Sequence, residues 1–271
     1  MNPTVASPAP DTVAPERSAE PSGAIAIDGV SVSYSDHRGG VRQVLNEIEL
    51  QIPTGQFAAI VGRSGCGKTT LLNMVAGLVE PTAGSVAVMG QAPRRARAHV
   101  GFMLARDALL PWRNALRNVE YGLELRGMPK AERRQTARRW LEAVHLGDAE
   151  SLWPWQLSQG MRQRVALART WALDPDVLLM DEPFSALDAT TRVSVQSEFL
   201  SLWQNGEHRT VLFVTHDLGE AIALADRVVL LGEGRVLEDV LVDIDRPRNL
   251  STLPAEPRYQ ELYQHLRGRL G

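Results

Sequence analysis

The sequence predicts an α/β fold with a mainly parallel core sheet, an antiparallel β subdomain and an inserted α-helical subdomain. Apolar runs at 57–61, 177–180 and 210–214 are continuous, which is typical of strands buried on both faces of a parallel sheet. Runs before residue 53 alternate instead, which favours antiparallel strands. A long segment of helical periodicity, within about 106–172, interrupts the α/β order and indicates the inserted subdomain.

The antiparallel section comes first in the chain. Residues 24–34 alternate between apolar and polar positions, and a second alternating run covers 44–52 after a turn at 35–40. Pro53-Thr54-Gly55 then turns the chain into the apolar run 57–61. Tyr34 ends the first run, where it either caps an edge strand or stacks on a planar ligand.

A phosphate-binding loop follows the run 57–61. The segment Gly62-Arg63-Ser64-Gly65-Cys66-Gly67-Lys68-Thr69-Thr70 has the spacing G-x-x-x-x-G-K-T and leads into a helix. Glycines let backbone N–H groups turn toward phosphate oxygens, and the helix N-terminus adds unpaired donors. We expect Lys68 to reach the β- and γ-phosphates and Thr69 to hold Mg²⁺. The alternative is an ordinary glycine-rich turn.

The middle of the chain adds two strands and a set of helices. Strands are expected at 85–89 and 99–104, and helical periodicity extends over 116–145. A further helix is expected to begin at Ser158, which is a good N-cap residue. With Gln159 and Gly160 beside it, this helix start is open to an anion.

Two polar groups follow the later apolar runs. Asp181 and Glu182 follow 177–180, where Asp181 suits Mg²⁺ contact and Glu182 suits polarising a water that attacks phosphorus. His216 follows 210–214, either as an ordinary turn residue or as a phosphate or water contact. The carboxyl ends of parallel strands are where α/β folds bind ligands.

The remaining segments complete the chain. Asp188 precedes a helix expected at 189–204, and strands are expected at 227–231 and 235–242. A polar linker and a helix from about Tyr259 follow. The predicted divisions are a disordered tail (1–23, rich in Pro, Ala, Ser and Glu), a main α/β domain (24–245) that contains the glycine-rich loop, and a C-terminal linker and helix (246–271).

Composition excludes several classes of protein. The formal charge of −3 over 271 residues gives no nucleic-acid footprint. A single cysteine, Cys66, excludes an intramolecular disulfide framework and suits a reducing compartment. No apolar run is long enough to span a bilayer, so we do not expect an integral membrane protein.

The motifs occur in the order GRSGCGKTT, LSQGMRQR, LLMDEP, SALD and VTHD. Together they resemble the nucleotide-binding subunit of an ATP-binding cassette (ABC) transporter, a P-loop ATPase, over about residues 25–242. Segments such as Ala108-Leu109-Leu110-Pro111-Trp112 are similar to the ATPases of nitrate, taurine and aliphatic sulfonate importers. The resemblance implies ATP hydrolysis that energises the import of a small solute.

The resemblance also implies roles for individual residues. ATP and Mg²⁺ would bind at 62–70, with Lys68 and Glu182 catalytic, Asp181 on the metal and His216 as the switch histidine. Tyr34 would stack on adenine, and Asp188 would belong to the loop that couples two active sites. Ser158, Gln159 and Gly160 would contact the γ-phosphate held by a second ATPase subunit.

The implied partners are that second subunit, two transmembrane permease subunits and a periplasmic or extracellular solute-binding protein. The implied location is the cytoplasmic face of the inner membrane. Two alternatives stay open. One is a soluble ABC ATPase without a transport role. The other is a regulatory subunit with low turnover, because Ala105 stands where the family has a glutamine in its Q-loop.

Overall fold

The computed structural model describes residues 23–35, 40–104, 107–206 and 209–270. Residues 1–22 of the predicted tail and Ala105 lie outside these ranges. The strands within them are β1 (Ile25–Ser35), β2 (Val41–Ile52), β3 (Phe57–Val61), β4 (Ala83–Val88), β5 (Val100–Met103), β6 (Val177–Asp181), β7 (Thr210–Thr215), β8 (Arg227–Gly232) and β9 (Arg235–Leu241). The α-helices are α1 (Lys68–Val75), α2 (Ala115–Leu125), α3 (Lys130–Ala143), α4 (Gln159–Trp171), α5 (Ala189–Asn205), α6 (Leu218–Leu224) and α7 (Pro257–Leu270).

A six-stranded sheet forms the centre of the molecule, in the order β5-β6-β7-β3-β8-β9. All neighbours pair in parallel except β8 and β9. Every residue of β3 and β7 is buried, which explains why their sequences are continuously apolar. The predicted mainly parallel core sheet is confirmed.

The two faces of this sheet pack against different layers. Phe57, Ala59 and Val61 belong to a core shared with the helices α2–α5, whereas Ala58 and Ile60 belong to a core shared with α1 and the strands β1 and β2. Alternate residues of a strand point to opposite faces, so one short run serves both cores. On the first face, the ring of Phe57 contacts three other aromatic rings edge-on: Phe199, Trp203 and Phe213.

A separate three-stranded sheet has the order β2-β1-β4, with both pairs antiparallel. This agrees with the predicted antiparallel section. β2 begins at Val41, three residues before the predicted start at Val44. β4 pairs with the other edge of β1. The small sheet shares an apolar core with α1 and with one face of the core sheet.

The ends of the helices between β5 and β6 are determined by capping side chains and by a glycine. Asn114 caps α2 by accepting from the backbone N–H of Arg117 at 2.9 Å, and Ser158 caps α4 by accepting from that of Met161 at 3.2 Å. Between α2 and α3, Gly127 has φ 77°, a left-handed conformation that ends the first helix. The predicted helix start at Ser158 is confirmed.

Two C-terminal elements differ from expectation. α6 was not predicted. Its start is nevertheless capped, because the side chain of Asp217 accepts from the backbone N–H of Glu220 at 3.1 Å, and the D-x-x-E spacing resembles a capping box. α7 begins at Pro257, two residues before the predicted start, because proline is well suited to the first turn of a helix. None of the described helices combines the length and apolar character needed to cross a bilayer.

The order of the central strands determines where the site forms. β3 lies between β7 and β8, and β6 lies on the other side of β7. Val61 pairs with Thr215, and Asp181 pairs with Val214. The carboxyl ends of β3, β7 and β6 therefore meet side by side at one edge of the sheet.

Candidate active site

A glycine-rich loop, 62–70, joins β3 to α1. Gly65 (φ 81°) and Gly67 (φ 110°) have backbone conformations that favour glycine. At Gly62 a Cβ would collide with the carbonyl oxygen of Leu231. Gly67 is also the N-cap of α1, and none of the described side chains caps that helix. The first N–H groups of α1 are thus left for an anion.

Lys68 folds back over the loop that precedes it. Its side chain is buried, and its Nζ donates to the carbonyl oxygens of Gly62 at 2.7 Å and Arg63 at 3.1 Å. An ammonium group has three donors, and two of them are used in this way. The lysine side chain therefore connects the start of α1 to the beginning of the loop and places its buried ammonium group within the loop.

Thr69 and Asp181 come together from different elements. Thr69 Oγ1 donates to Asp181 Oδ1 at 3.3 Å, which joins the start of α1 to the end of β6. Burial raises the pKa of Asp181 above its usual value; the Thr69 hydrogen bond opposes this rise, the Glu182 carboxylate adds to it and the charge of Lys68 opposes it. A hydroxyl and a half-buried carboxylate side by side fit a hard cation such as Mg²⁺, which also favours the ionised carboxylate.

Glu182 and His216 also contact each other. Glu182 has φ 44°, a left-handed conformation that is uncommon for a residue with a side chain. Its backbone N–H donates to the carbonyl oxygen of Val214 at 2.8 Å, and this bond stabilises the turn. The two side chains meet with His216 Nδ1 at 2.9 Å from Glu182 Oε2. A carboxylate and an imidazole at this distance can share or transfer a proton.

The loop and Glu182 line one cavity of about 420 Å³. Two lining residues, Arg42 and Val44, come from β2 and were not predicted. Their sequence carries only the alternation of a strand, with no sign that the strand approaches the loop. The described lining residues are Arg42, Val44, Ser64, Gly65, Gly67, Lys68, Thr69, Thr70 and Glu182.

Tyr34 lies near the edge of this cavity. It is 45% exposed at the end of β1 and pairs across the strands with Arg42, which lines the cavity. An exposed aromatic ring at this position is available to stack on a planar ligand in the cavity.

The segment Ser158–Gly160 is exposed at its first two positions. None of its three residues is among the described residues that line the cavity. Gly160 is buried against α5, where an added Cβ would lie 2.5 Å from Thr191 Cγ2. Below it, Gln163 donates to the carbonyl oxygen of Pro183, which follows Glu182. The exposed helix start is thus held by the chain segment that leaves β6.

Asp188 caps α5 and accepts from the backbone N–H of Thr191 at 3.0 Å. Hydrogen bonds from Thr191 hold the pKa of this exposed carboxyl below its usual value. Asp188 therefore lies beside Ser158–Gly160, through Thr191, and it is not among the described residues that line the cavity.

A family model described as ABC transporter matches residues 45–185. The chain is 46% identical over 245 residues to the aliphatic sulfonates import ATP-binding protein of Escherichia coli strain K12, covering 90% of this chain and 91% of that protein. It is also 46% identical over 220 residues to an uncharacterised ABC transporter ATP-binding protein of Methanocaldococcus jannaschii, covering 80% and 82%. The chain belongs to the ABC transporter family.

Solved ABC cassettes share the fold. A dimeric cassette in a post-hydrolysis state, bound to ADP and phosphate, superimposes with a TM-score of 0.73 at 30% identity, covering 82% of this chain and all of that one. A dimeric bacterial ABC transporter cassette gives 0.72 at 31% identity, with the same coverage. Within the ABC family this chain is an ATP-binding subunit, and it is an ATPase.

Proposed function

We propose that this ABC ATPase energises the import of a small solute such as an aliphatic sulfonate, taurine or nitrate. The observation that carries the proposal is 46% identity, across 90% of this chain, to an aliphatic sulfonates import ATP-binding protein. Similarity over nearly the full length of both proteins includes the surfaces by which such a subunit meets its partners, as well as its nucleotide site.

The loop 62–70 is proposed to bind the phosphates of ATP. Its backbone N–H groups and the first turn of α1 supply donors, and the ammonium of Lys68 neutralises the β- and γ-phosphate charge. Tyr34 is proposed to stack on the adenine ring. Thr69 and Asp181 would hold Mg²⁺, which would supply positive charge against the negative charge of the phosphates. Among the described residues no cluster of three or more His, Cys, Asp or Glu side chains is suited to a metal, so phosphate and water oxygens would complete its coordination.

Glu182 is proposed to act as the general base. A water molecule attacks the γ-phosphorus, its proton passes to the Glu182 carboxylate, and the bond from the γ-phosphorus to the ADP oxygen breaks. His216, at 2.9 Å from Glu182, would orient that carboxylate and contact the γ-phosphate. The left-handed backbone at Glu182 aims its side chain into the cavity that the loop lines.

A second copy of this chain, or a related one, is proposed to complete the site. Ser158 and Gln159 are exposed at a helix start that lies outside the cavity's described lining. In a head-to-tail dimer this helix start would meet the γ-phosphate held by the other subunit, and Asp188 beside it would contact the same interface. ATP would close such a dimer, and hydrolysis would open it.

Two permease subunits and a solute-binding protein are the proposed further partners, with the ATPase on the cytoplasmic face of the membrane. Exposed aromatic side chains support a protein contact near the start of α2. Trp112 and Trp155 are each 67% exposed, and Trp155 stacks on Trp153 at 5.1 Å. The backbone N–H of Ala115 bonds to Leu152, so the two loops run side by side. Exposed tryptophans are typical of contact surfaces.

The test is reconstitution in vesicles with the permease and binding protein encoded beside this chain. We expect ATP hydrolysis to rise when the binding protein is loaded with an alkanesulfonate, taurine or nitrate. Stimulation by none of these, or by an unrelated solute only, would refute the solute class. Activity that is independent of any permease would favour a soluble ATPase instead.

In the same assay, Ala105→Gln tests the low-turnover alternative, which predicts a clear rise in the rate of ATP hydrolysis.

A further inference from the structure

His216 lies at the apex of a hydrogen-bonded turn at the end of β7. The side-chain Oγ1 of Thr215 accepts from the backbone N–H of Asp217 at 3.0 Å, so the bond passes over His216. Thr215 is buried, whereas the side chain of His216 is 56% exposed. The direction of the exposed imidazole therefore depends on how the buried hydroxyl is held.

Glu220 holds that hydroxyl from beneath. Thr215 Oγ1 donates to one carboxyl oxygen of Glu220, and Gln196 of α5 donates to the other at 2.7 Å. A threonine hydroxyl has one proton and two lone pairs. Because its proton goes to Glu220, a lone pair is left facing the N–H of Asp217. The side chains of Gln196, Glu220 and Thr215 thus determine the geometry of the turn at His216.

Glu220 is a carboxylic acid in a position that is largely shielded from water. Burial raises the pKa of its carboxyl to about 7; the nearby Asp217 charge adds to the rise, and the bonds from Thr215 and Gln196 and the charge of Arg192 oppose it. A carboxyl group is rarely taken out of water unless hydrogen-bond donors meet it, and here Thr215 and Gln196 supply them. Neither Glu220 nor Gln196 is among the described residues that line the cavity. Their hydrogen bonds connect them to the turn through Thr215, so we expect an effect on hydrolysis to pass through the turn.

We propose that Glu220 and Gln196 are positioning residues that fix the hydroxyl of Thr215 and thereby aim His216 at Glu182. This inference rests on the proposed role of His216 in hydrolysis. It separates two functions within one motif: His216 contacts the reacting groups, and the buried carboxyl four residues later determines where His216 points.

The first test removes the hydroxyl and keeps the shape. In Thr215→Val, a β-branched apolar side chain replaces threonine in a buried strand, and Asp217 loses its acceptor. We expect kcat to fall about tenfold, the scale of one buried hydrogen bond, with the KM for ATP nearly unchanged. Thr215→Ser keeps the hydroxyl and should retain the wild-type kcat. Equal kcat values for the Val and Ser variants would overturn the proposal.

Glu220 gives an independent pair of variants. Glu220→Met keeps the volume and removes both acceptors, so it should lower kcat as Thr215→Val does. Glu220→Gln should retain most of the activity, because the Gln196 amide can turn over and restore both bonds. If Glu220→Met fails to fold, the comparison of Thr215→Val with Thr215→Ser still tests the proposal. The matched control is Thr210→Val, the same change at the far end of β7, where the hydroxyl accepts from the backbone N–H of Gly55 at 3.0 Å; its kcat should stay at the wild-type value.

A double-mutant cycle separates positioning from general damage. If Thr215 acts through His216, Thr215→Val should reduce the residual kcat no further in a His216→Ala background. A further tenfold loss there would overturn the proposal. The imidazole of His216, followed by NMR after isotope labelling of histidine, gives a readout besides activity. Its shifts should change in Thr215→Val and stay near wild type in Thr215→Ser and Thr210→Val.

The NMR result also distinguishes the two possible failures. Absence of ATP hydrolysis by the wild-type protein, alone and with its permease, would refute the proposed function, and the shifts of His216 would still report on its position. Unchanged His216 shifts in both Thr215→Val and Glu220→Met would overturn the positioning role, whatever the rate of hydrolysis.

Discussion

The two halves of the proposed ATP site are held in different ways by the chain. In the phosphate half, Lys68, Thr69 and Glu182 each have a hydrogen-bonding partner within the same subunit. In the other half, Ser158 caps its own helix and otherwise faces outward. The first half is assembled by one subunit, and the second is presented to another. Mutations should therefore separate nucleotide binding by the single subunit from hydrolysis by the pair.

The largest effect is expected from Glu182→Gln in the phosphate half. The amide keeps the shape of the side chain and cannot take up the proton of water, so phosphate release should fall by about a hundredfold or more. ATP binding should persist, and ATP-bound dimers should accumulate on size-exclusion chromatography. Glu233→Gln, in the turn between β8 and β9, is the matched control. A Glu182→Gln variant with wild-type turnover would remove Glu182 from the chemistry.

Lys68→Ala should affect the same half through binding. Loss of the buried ammonium leaves the phosphates without their nearest cation, and the affinity of the isolated subunit for ATP should fall about a hundredfold. Equilibrium titration with a fluorescent ATP analogue measures this directly. Lys130→Ala, the same change at the chain's other lysine, serves as the control and should bind normally. If both variants bind equally well, the loop is not the phosphate site.

Glu220, which lies beneath the turn at His216, should make the stability of the protein depend on pH. Glu220 is expected to release its proton at about pH 7 in the folded protein and at its ordinary value of 4.5 when unfolded. Between these values the unfolded state ionises first, so the free energy of unfolding falls as pH rises, by up to about 3 kcal/mol for a gap of this size. Asp217 and Arg192 face the same carboxyl, and they are unchanged in Glu220→Gln.

Thermal unfolding at pH 5, 6, 7 and 8 measures this contribution. Relative to Glu220→Gln, the wild-type protein should lose stability from pH 5 to pH 8. A difference between the two proteins that is constant with pH would show that Glu220 has an ordinary pKa.

Ser158→Ala should have the smallest effect and only in the second half. ATP affinity of the isolated subunit should not change, and hydrolysis should fall about tenfold, as expected for one lost hydrogen bond to a charged group. Asn114→Ala removes a comparable helix cap on α2, so it controls for the loss of helix stability. A loss of ATP affinity in the isolated Ser158→Ala subunit would contradict the division into two halves.

Mixing the variants sharpens the comparison further. A dimer of Lys68→Ala with Ser158→Ala contains one site with both halves intact and one with both halves altered. Such mixtures should hydrolyse ATP faster than either variant alone, because one of their two sites has both halves intact. Failure to recover activity, with mixed dimers shown to form, would mean that each site lies within one subunit.

Much of the architecture could be predicted because local sequence and burial agree. The runs that form β3, β6 and β7 are continuously apolar because each is covered on both faces. Ser158 predicts a helix start because its hydroxyl satisfies a backbone donor that the helix leaves unpaired. The spacing from Gly62 to Thr69 predicts a loop because Gly65 and Gly67 can adopt the positive φ that the turn requires.

Other features depend on contacts that no local pattern encodes. Sheet order places β3 between β7 and β8, so the neighbours of Val61 come from segments about 150 residues away. Arg42 and Val44 reach the cavity only because β2 folds over the loop. α6 spans seven residues, too few to show a clear helical period, and with it the contact of Glu220 with Thr215 was missed. The roles assigned to the site residues stay predictions.

The folded-back side chain of Lys68 has a consequence for how quickly nucleotide can bind. Two backbone carbonyls already restrain the ammonium and the loop around it. Incoming phosphate oxygens would exchange with those carbonyls, one contact for another, and the described loop 62–70 would not have to become ordered first. Preorganised binding of this kind carries a small entropic penalty. Capture of ATP should therefore be limited by encounter, and the slow events of the cycle should lie in the closing and opening of the paired subunits.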